Sequence, residues 1–325
     1  MFFAKGVIDM EKYGVFEINT KSVSNLNYIA TDESRGFELR LCEMSFMADN
    51  IARQFVSLVS EGMSNSEAFS LLAEDIDFAV GEADRDTILE TQKGVEAFMK
   101  MLSATDKASF SILLVEKLAE AGINVSEKDF LPESDPQERF IYVKNSLADE
   151  AFDVFSQEFS DPRITYAESF KEACSGVAEK KYGYCILPFE EKSSVRIPSI
   201  FKLVSGLDLK IVAITPVFGF EGNADMKYAL IGRDFKIPDR SESTDRYFEI
   251  SIPKDTAKLS EIFIAVEMFG LEVYKMGMTF AGDGGEKASY SIIFKDGGRS
   301  FTELIVYLSL FAEEYIPVGI YKNIE

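Results

Sequence analysis

The chain has 325 residues, enough for two or three domains, and its hydrophobic fraction of 46% is typical of a soluble globular protein. Its net charge of −21 repels nucleic acid and anionic membrane surfaces, so we expect neither as a partner. The chain contains no histidine, which excludes histidine-based triads and imidazole-bound zinc and leaves carboxylates, Lys, Tyr, Thr or water for proton transfer.

The remaining composition favours a cytoplasmic protein without metal or cofactor. No apolar run has the length of a membrane span, and the opening MFFAKGVIDMEKYG lacks the apolar core of a signal peptide. The three cysteines show no CxxC spacing, and their odd number argues against a disulfide framework. We interpret Cys174 and Cys185 as core residues.

Residues 1–135 are predicted to form a mainly helical N-terminal domain of unknown role. It begins with two short strands, FFAKGVI and YGVFEINT. Helical spacing then predicts four helices: from Phe37 to Gly62, after Ser66, from Asp86 to Leu102, and up to Gly122. The linker LPESDPQE, rich in proline and acid, marks the boundary of this domain.

Residues 139–240 alternate predicted strands and helices, which favours a mainly parallel α/β lobe. The strands are RFIYVK, RITYA, YGYCILP, LDLKIVAIT and MKYALIGRD. We expect MKYALIGRD to lie beside the first strand. Ser146 followed by Asp149 has the spacing of a capping box at the first helix.

Residues 245–325 show the β-α-β-β-α-β order of a ferredoxin-like domain. The glycine-rich GDGGEK joins two strands and lacks the Lys-Ser/Thr of a phosphate-binding loop, so we predict no nucleotide site there. The whole chain is therefore expected to be a multidomain α/β and α+β protein.

The stretch ESFKEACSGVAEKKYGYCILPFEEKSSV resembles the run SFxEvfxaVexgxAdYGvlPiENSxxG of the prephenate dehydratase family. LKIVAI and YALIGR resemble the strands that follow in that family, and the tail resembles its ACT regulatory domain. The resemblance implies a periplasmic-binding-like lobe followed by an ACT domain. It does not cover the helical segment.

The resemblance also implies a substrate site at the end of YGYCILPFEE. Pro188 and Glu190 match the family's Pro-Ile-Glu-Asn signature, whereas its asparagine is replaced by Glu191. The family's Thr-Arg-Phe triplet is replaced by Met226, Lys227 and Tyr228. The candidate catalytic residues are therefore Glu190, Glu191 and Lys227.

A length difference argues against the family reaction. Between Val217 and Tyr228 there is only FGFEGNADMK, where the family inserts a second lobe, so one wall of the substrate cleft is missing. We favour a non-catalytic or regulatory relative. The alternatives are an active prephenate dehydratase whose site is completed by the N-terminal segment or a second subunit, and an ACT-based assembly module.

The possible ligands are prephenate and an aromatic amino acid. In the family, phenylalanine contacts a Gly-Ala-Leu loop, matched here by Ala257, Lys258 and Leu259, and a Glu-Ser-Arg-Pro segment, replaced here by Gly277 to Phe280. The resemblance thus implies Ala257, Leu259 and Thr279 as ligand-binding residues, with weak phenylalanine binding because the charged pair is lost. The apolar strand LEVYKMGMTF predicts a homodimer through the ACT-like domain.

Overall fold

The computed structural model describes residues 32–65, 67–68, 102–134, 136–191, 196–218, 224–240, 244–281, 287–312 and 314–324. The helices are α1 (Asp32–Ser60), α2 (Ala104–Glu120), α3 (Glu127–Phe130), α4 (Ser146–Ser156), α5 (Phe170–Ala178), α6 (Pro198–Gly206), α7 (Leu259–Met268) and α8 (Thr302–Phe311). The strands are β1 (Arg139–Val143), β2 (Arg163–Ala167), β3 (Tyr184–Glu191), β4 (Lys210–Phe218), β5 (Ala224–Gly232), β6 (Arg246–Pro253), β7 (Glu272–Ala281), β8 (Lys287–Lys295) and β9 (Ile316–Asn323). Among these residues no helix is long and apolar enough to cross a bilayer.

The nine strands form one mixed sheet in the order β2-β1-β3-β5-β4-β9-β6-β8-β7. This confirms the predicted α/β and α+β fold class. The first half of the sheet comprises β1 to β5. In it, β1, β2 and β3 are parallel, while β5 runs antiparallel to both β3 and β4. β3 is buried along nearly its whole length because helices cover both faces of the sheet there.

The position of MKYALIGRD was predicted wrongly, because β5 lies between β3 and β4 rather than beside β1. Only residues 219–223 connect β4 to β5. A connection of this length joins antiparallel neighbours, whereas reaching a parallel position needs a crossover of a dozen or more residues. The strand therefore returns directly along β4.

The start of α4 also differs from the prediction. Its N-cap is Asn145, whose side chain accepts a hydrogen bond from the Ala148 backbone N–H at 2.9 Å, and Ser146 is the first helical residue. Asp149 does not complete a capping box with Ser146, since its carboxylate accepts a hydrogen bond from the Tyr142 hydroxyl at 2.8 Å. Asparagine is as good an N-cap as serine.

The second half of the sheet comprises β6 to β9. Along the chain its elements follow as β6-α7-β7-β8-α8-β9, and in the sheet its strands lie in the order β9-β6-β8-β7, which confirms the ferredoxin-like pattern. The two halves share the sheet, because β9 pairs in parallel with β4 through Ala213–Lys322 and Ile214–Asn323. One hydrophobic cluster also crosses the junction and includes Ile211, Tyr247 and Val318. The division at residues 135, 240 and 245 stays a prediction.

The helical segment packs on the outside of α8. Met44, Ala48 and Phe55 of α1 share a cluster with Phe110 of α2 and Val306 of α8. The helices end before Gly62 and Gly122, both with positive φ, as predicted. The two short N-terminal strands, the helix from Asp86 to Leu102 except Leu102 itself, and nearly all of the helix after Ser66 lie outside the described residues.

A buried arginine joins the helical segment to the sheet. Arg246 of β6 donates hydrogen bonds to Glu127 of α3 at 2.9 Å and to Asp296 after β8 at 2.7 Å. It also donates to the carbonyl oxygens of Pro238 and Arg299. Glu127 in turn accepts from the Phe301 N–H at the start of α8. Burial alone would raise the Glu127 pKa, but Phe301 and Arg246 outweigh it and hold that pKa below its usual value.

The seam between the halves depends on Gly319 of β9. A Cβ at this position would collide with the carbonyl oxygen of Ile211 on β4. We expect Gly319→Ala to lower the free energy of unfolding by about 1–3 kcal/mol, because overpacking at a fixed backbone contact forces the strands apart. Urea denaturation measures this change.

Gly206 provides the matched control, since a Cβ there meets no atom within 4 Å and the residue ends α6. Gly206→Ala should leave stability unchanged or raise it by up to about 1 kcal/mol. An equal effect of the two substitutions would contradict the close β4–β9 contact.

Candidate functional site

A β-bulge at the end of β3 decides which way Glu190 points. Pro188 pairs with Tyr228 of β5, but the next pair is Glu190 with Lys227, so Phe189 is an extra residue. Strict alternation would put Glu190 on the face of Pro188. The bulge instead moves Glu190 to the face of Phe189, where it is 4% exposed.

Three cations surround the Glu190 carboxylate. Lys275 Nζ of β7 donates to Oε1 at 2.7 Å, Lys227 Nζ lies 3.4 Å from Oε2, and Arg196 Nε lies 3.5 Å from Oε1. Burial alone would raise the pKa of Glu190, but Arg196, Lys275 and Lys227 together outweigh it. The pKa of Glu190 therefore lies below its usual value, and the group is ionised at neutral pH.

Arg196 extends this arrangement to the second half of the sheet. Its Nη2 donates to Glu249 Oε2 of β6 at 2.5 Å, and its guanidinium lies 4.0 Å from the centre of the Phe189 ring. Glu249 is fully buried and also accepts hydrogen bonds from the hydroxyls of Ser291 and Tyr321. We call Glu190, Arg196, Lys227, Glu249 and Lys275 the Glu190 cluster.

The Glu190 cluster holds three cations and two carboxylates, so it carries one excess positive charge. Its most accessible groups are Lys227 and Lys275, whose side chains are 34% and 29% exposed. Arg196 Nη1 is buried and has no hydrogen-bond partner among the described atoms. Such an arrangement can attract an anion. Within the described ranges no group of acidic or cysteine side chains is arranged to hold a metal ion.

The structure brings together two of the three candidate catalytic residues. Glu190 and Lys227 are in contact, whereas Glu191 is exposed and pairs in register with Met226. Since Glu191 follows Glu190 on the strand, its side chain points to the other face. Their assignment as catalytic residues stays a prediction.

Sequence reasoning missed Arg196, Glu249 and Lys275. One signal was present, since Glu249 interrupts the apolar strand YFEISI, and a carboxylate inside a buried strand needs a partner. Nothing local indicates that its partner is Arg196, which follows β3 and stands 53 positions earlier in the chain.

The three candidate ligand-binding residues lie at one end of the second half. Ala257 and Leu259 pack against its core at the start of α7. Thr279 of β7 pairs in register with Ser289 of β8, which in turn pairs with Pro253 at the end of β6. Thr279 is thus two strand spacings, about 10 Å, from the strand that leads to Ala257. A hollow beside Ala257 has a volume of only about 10 Å³, room for one water molecule at most. The ligand assignment stays a prediction.

Comparisons with known protein families and with curated proteins give no match. Among solved structures, prephenate dehydratase from Streptococcus mutans is similar, with a TM-score of 0.45 and 15% identity over 57% of this chain and 99% of that chain. GqqA, described as a novel type of quorum quenching acylase, has a TM-score of 0.44 and 14% identity over 57% of this chain and 95% of that chain. Prephenate dehydratase from Arthrobacter aurescens in complex with L-Phe has a TM-score of 0.38 and 11% identity over 56% of this chain and 89% of that chain. These values describe a distant likeness and assign neither an activity nor a ligand.

The Glu190 cluster predicts a specific loss of stability in acid. The pKa of Glu190 is lower in the folded than in the unfolded chain. Its contribution to the free energy of unfolding is therefore complete above the unfolded pKa and is lost as the pH falls through the folded pKa. We expect Glu190→Gln to lower the free energy of unfolding by about 1–3 kcal/mol at pH 7. The variant should also flatten the decline in stability below about pH 5, measured by urea denaturation at several pH values.

Glu191→Gln is the matched control, since it removes the same charge from the exposed neighbouring residue. We expect it to change stability by less than about 0.5 kcal/mol. Equal acid sensitivity of the two variants would show that the ion pairs of Glu190 contribute no pH-dependent stability.

Proposed function

We propose that this chain is a non-catalytic, regulatory relative of prephenate dehydratase that binds a small carboxylate-bearing ligand. The observation that carries the proposal is the ion-paired state of Glu190. The sequence resemblance implies that this residue corresponds to the family's substrate site, and the three cations around it hold its pKa below the usual value.

The chemistry of the family reaction requires groups that Glu190 and Lys227 supply poorly. Loss of carbon dioxide and hydroxide needs an acid near the leaving hydroxyl and cations that hold the substrate carboxylates. An ionised Glu190 has no proton to donate at neutral pH. Lys227, which replaces the family's arginine, forms an ion pair with Glu190.

The remaining excess charge supports binding rather than catalysis. Lys227 and Lys275 are partly exposed beside Glu190, so a carboxylate can approach them from solvent. The helical segment, as far as the structure describes it, packs on α8 and supplies no wall to the Glu190 cluster. This packing disfavours completion of an active site by residues 32–65 and 102–134 of that segment.

The first test is enzymatic. We expect the purified protein to form no phenylpyruvate from prephenate above the spontaneous background, while prephenate raises its melting temperature. Lys227→Met should weaken that thermal shift, because it removes a cation at the site. Lys254→Met, which removes an exposed charge after β6, should leave the shift unchanged. Turnover that is abolished by Glu190→Gln or Lys227→Met would refute the proposal.

We also propose a homodimer through the second half, because β7 ends the sheet and its Met276 and Met278 are exposed on one face. An apolar edge strand favours pairing with a second chain. Light scattering at micromolar concentration should report a dimer. Met276→Lys should shift it towards monomer, whereas Ile164→Lys on β2, at the opposite edge, should not. A monomeric unmodified protein would contradict this assembly.

A further inference from the structure

A cavity lies on the sheet face opposite the Glu190 cluster. Its volume is about 450 Å³, within the usual range for sites that bind small molecules. The apolar wall comes from the end of α4, from β4 and β5, and from the end of β9: Phe155, Phe159, Val212, Leu230 and Ile324. The connection that follows β5 closes one side with Lys236, Ile237 and Pro238.

The charged residues that line this cavity are Glu158, Lys236, Asp239, Arg246 and Lys322. Lys236 Nζ lies 4.1 Å from the centre of the Phe159 ring and 5.8 Å from that of Tyr184. In the part of the chain that the structure describes, no carboxylate forms an ion pair with Lys236. The other lysine, Lys322, pairs with Glu158 at 3.1 Å. Arg246 pairs with Glu127 and Asp296, so Lys236 is the cation of this lining that no described carboxylate pairs with.

We propose that this cavity binds a small organic anion with one carboxylate and an apolar body. The carboxylate would accept a charge-assisted hydrogen bond from Lys236, and the body would pack on Phe155, Val212 and Leu230. The site shares no residue with the Glu190 cluster, so the inference does not depend on the function proposed above.

The cavity also spans the seam between the two halves. Val212 and Ala213 belong to β4, whereas Lys322 and Ile324 come from β9 and the residue after it. Two register pairs and a hydrogen bond from the Ile324 N–H to the Ile214 carbonyl oxygen at 2.8 Å join the ends of β4 and β9. A ligand that contacts both strands would therefore oppose local opening of this short pairing.

Hydrocinnamate, an aromatic ring on a short carboxylate chain, is a suitable probe, and its amide hydrocinnamide is the uncharged counterpart. Isothermal titration should show hydrocinnamate binding that depends on Lys236, with a Kd below about 1 mM. Hydrocinnamide should bind at least about tenfold more weakly, because it cannot form the ion pair.

Lys236→Met tests the cation while keeping a side chain of similar shape, and we expect it to weaken hydrocinnamate binding at least about tenfold. Lys171→Met, at an exposed position of α5 on the other face, should bind as the unmodified protein does. Circular dichroism of Lys236→Met should match that of the unmodified protein. The proposal would be overturned if Lys236→Met bound hydrocinnamate as tightly as the unmodified protein does, or if the unmodified protein bound hydrocinnamide as tightly as hydrocinnamate.

Hydrogen exchange in the unmodified protein locates the ligand without any substitution. Hydrocinnamate should slow exchange in residues 212–214 and 322–324, on the two sides of the seam. Protection confined to Lys227 and Lys275 would place the ligand at the Glu190 cluster and overturn the inference. Absence of binding at concentrations up to about 10 mM would overturn it as well.

Discussion

The contact between Glu190 and Lys275 is the constraint on which the shape of the sheet depends. Glu190 belongs to β3 and Lys275 to β7, six strand positions apart in the sheet order. In a flat sheet these strands would be separated by roughly 29 Å. Their side chains nevertheless meet at 2.7 Å, so the sheet must curve back on itself. The shared hydrophobic cluster, with Leu187 from the first half and Ile293 from the second, fills the concave side.

This curvature brings charged side chains from both halves of the sheet together in the interior. Removing Arg196 and Glu249 from water is costly, and only close pairing with further hydrogen bonds offsets that cost. Ser291 and Tyr321 supply those bonds from two further strands. Perturbed pKa values occur in structural ion networks as well as in active sites, so the lowered pKa of Glu190 is not by itself a sign of catalysis. Here its partners come from both halves of the sheet, which favours a structural role.

Local patterns predicted much of the fold but little of the site. Periodicity and terminal glycines gave the helices that end before Gly62 and Gly122, and the element order gave the ferredoxin-like half, because these features depend on neighbouring residues. The bulge at Phe189 is invisible in the sequence, although it decides that Glu190 rather than Glu191 enters the cluster. Lys275 and Glu249 lie 85 and 59 positions beyond Glu190, and no local pattern encodes such contacts.

The short seam couples the two faces of the sheet. On one face, Arg196 links Glu190 of β3 to Glu249 of β6, and on the other the cavity touches both β4 and β9. Between them, β4 and β9 are joined by two register pairs and by the close approach of Gly319 to Ile211. An anion in the cavity would favour the joined arrangement of β4 and β9, whereas an anion at Lys227 and Lys275 would compete with Glu190 for those cations and weaken the contact between β3 and β7.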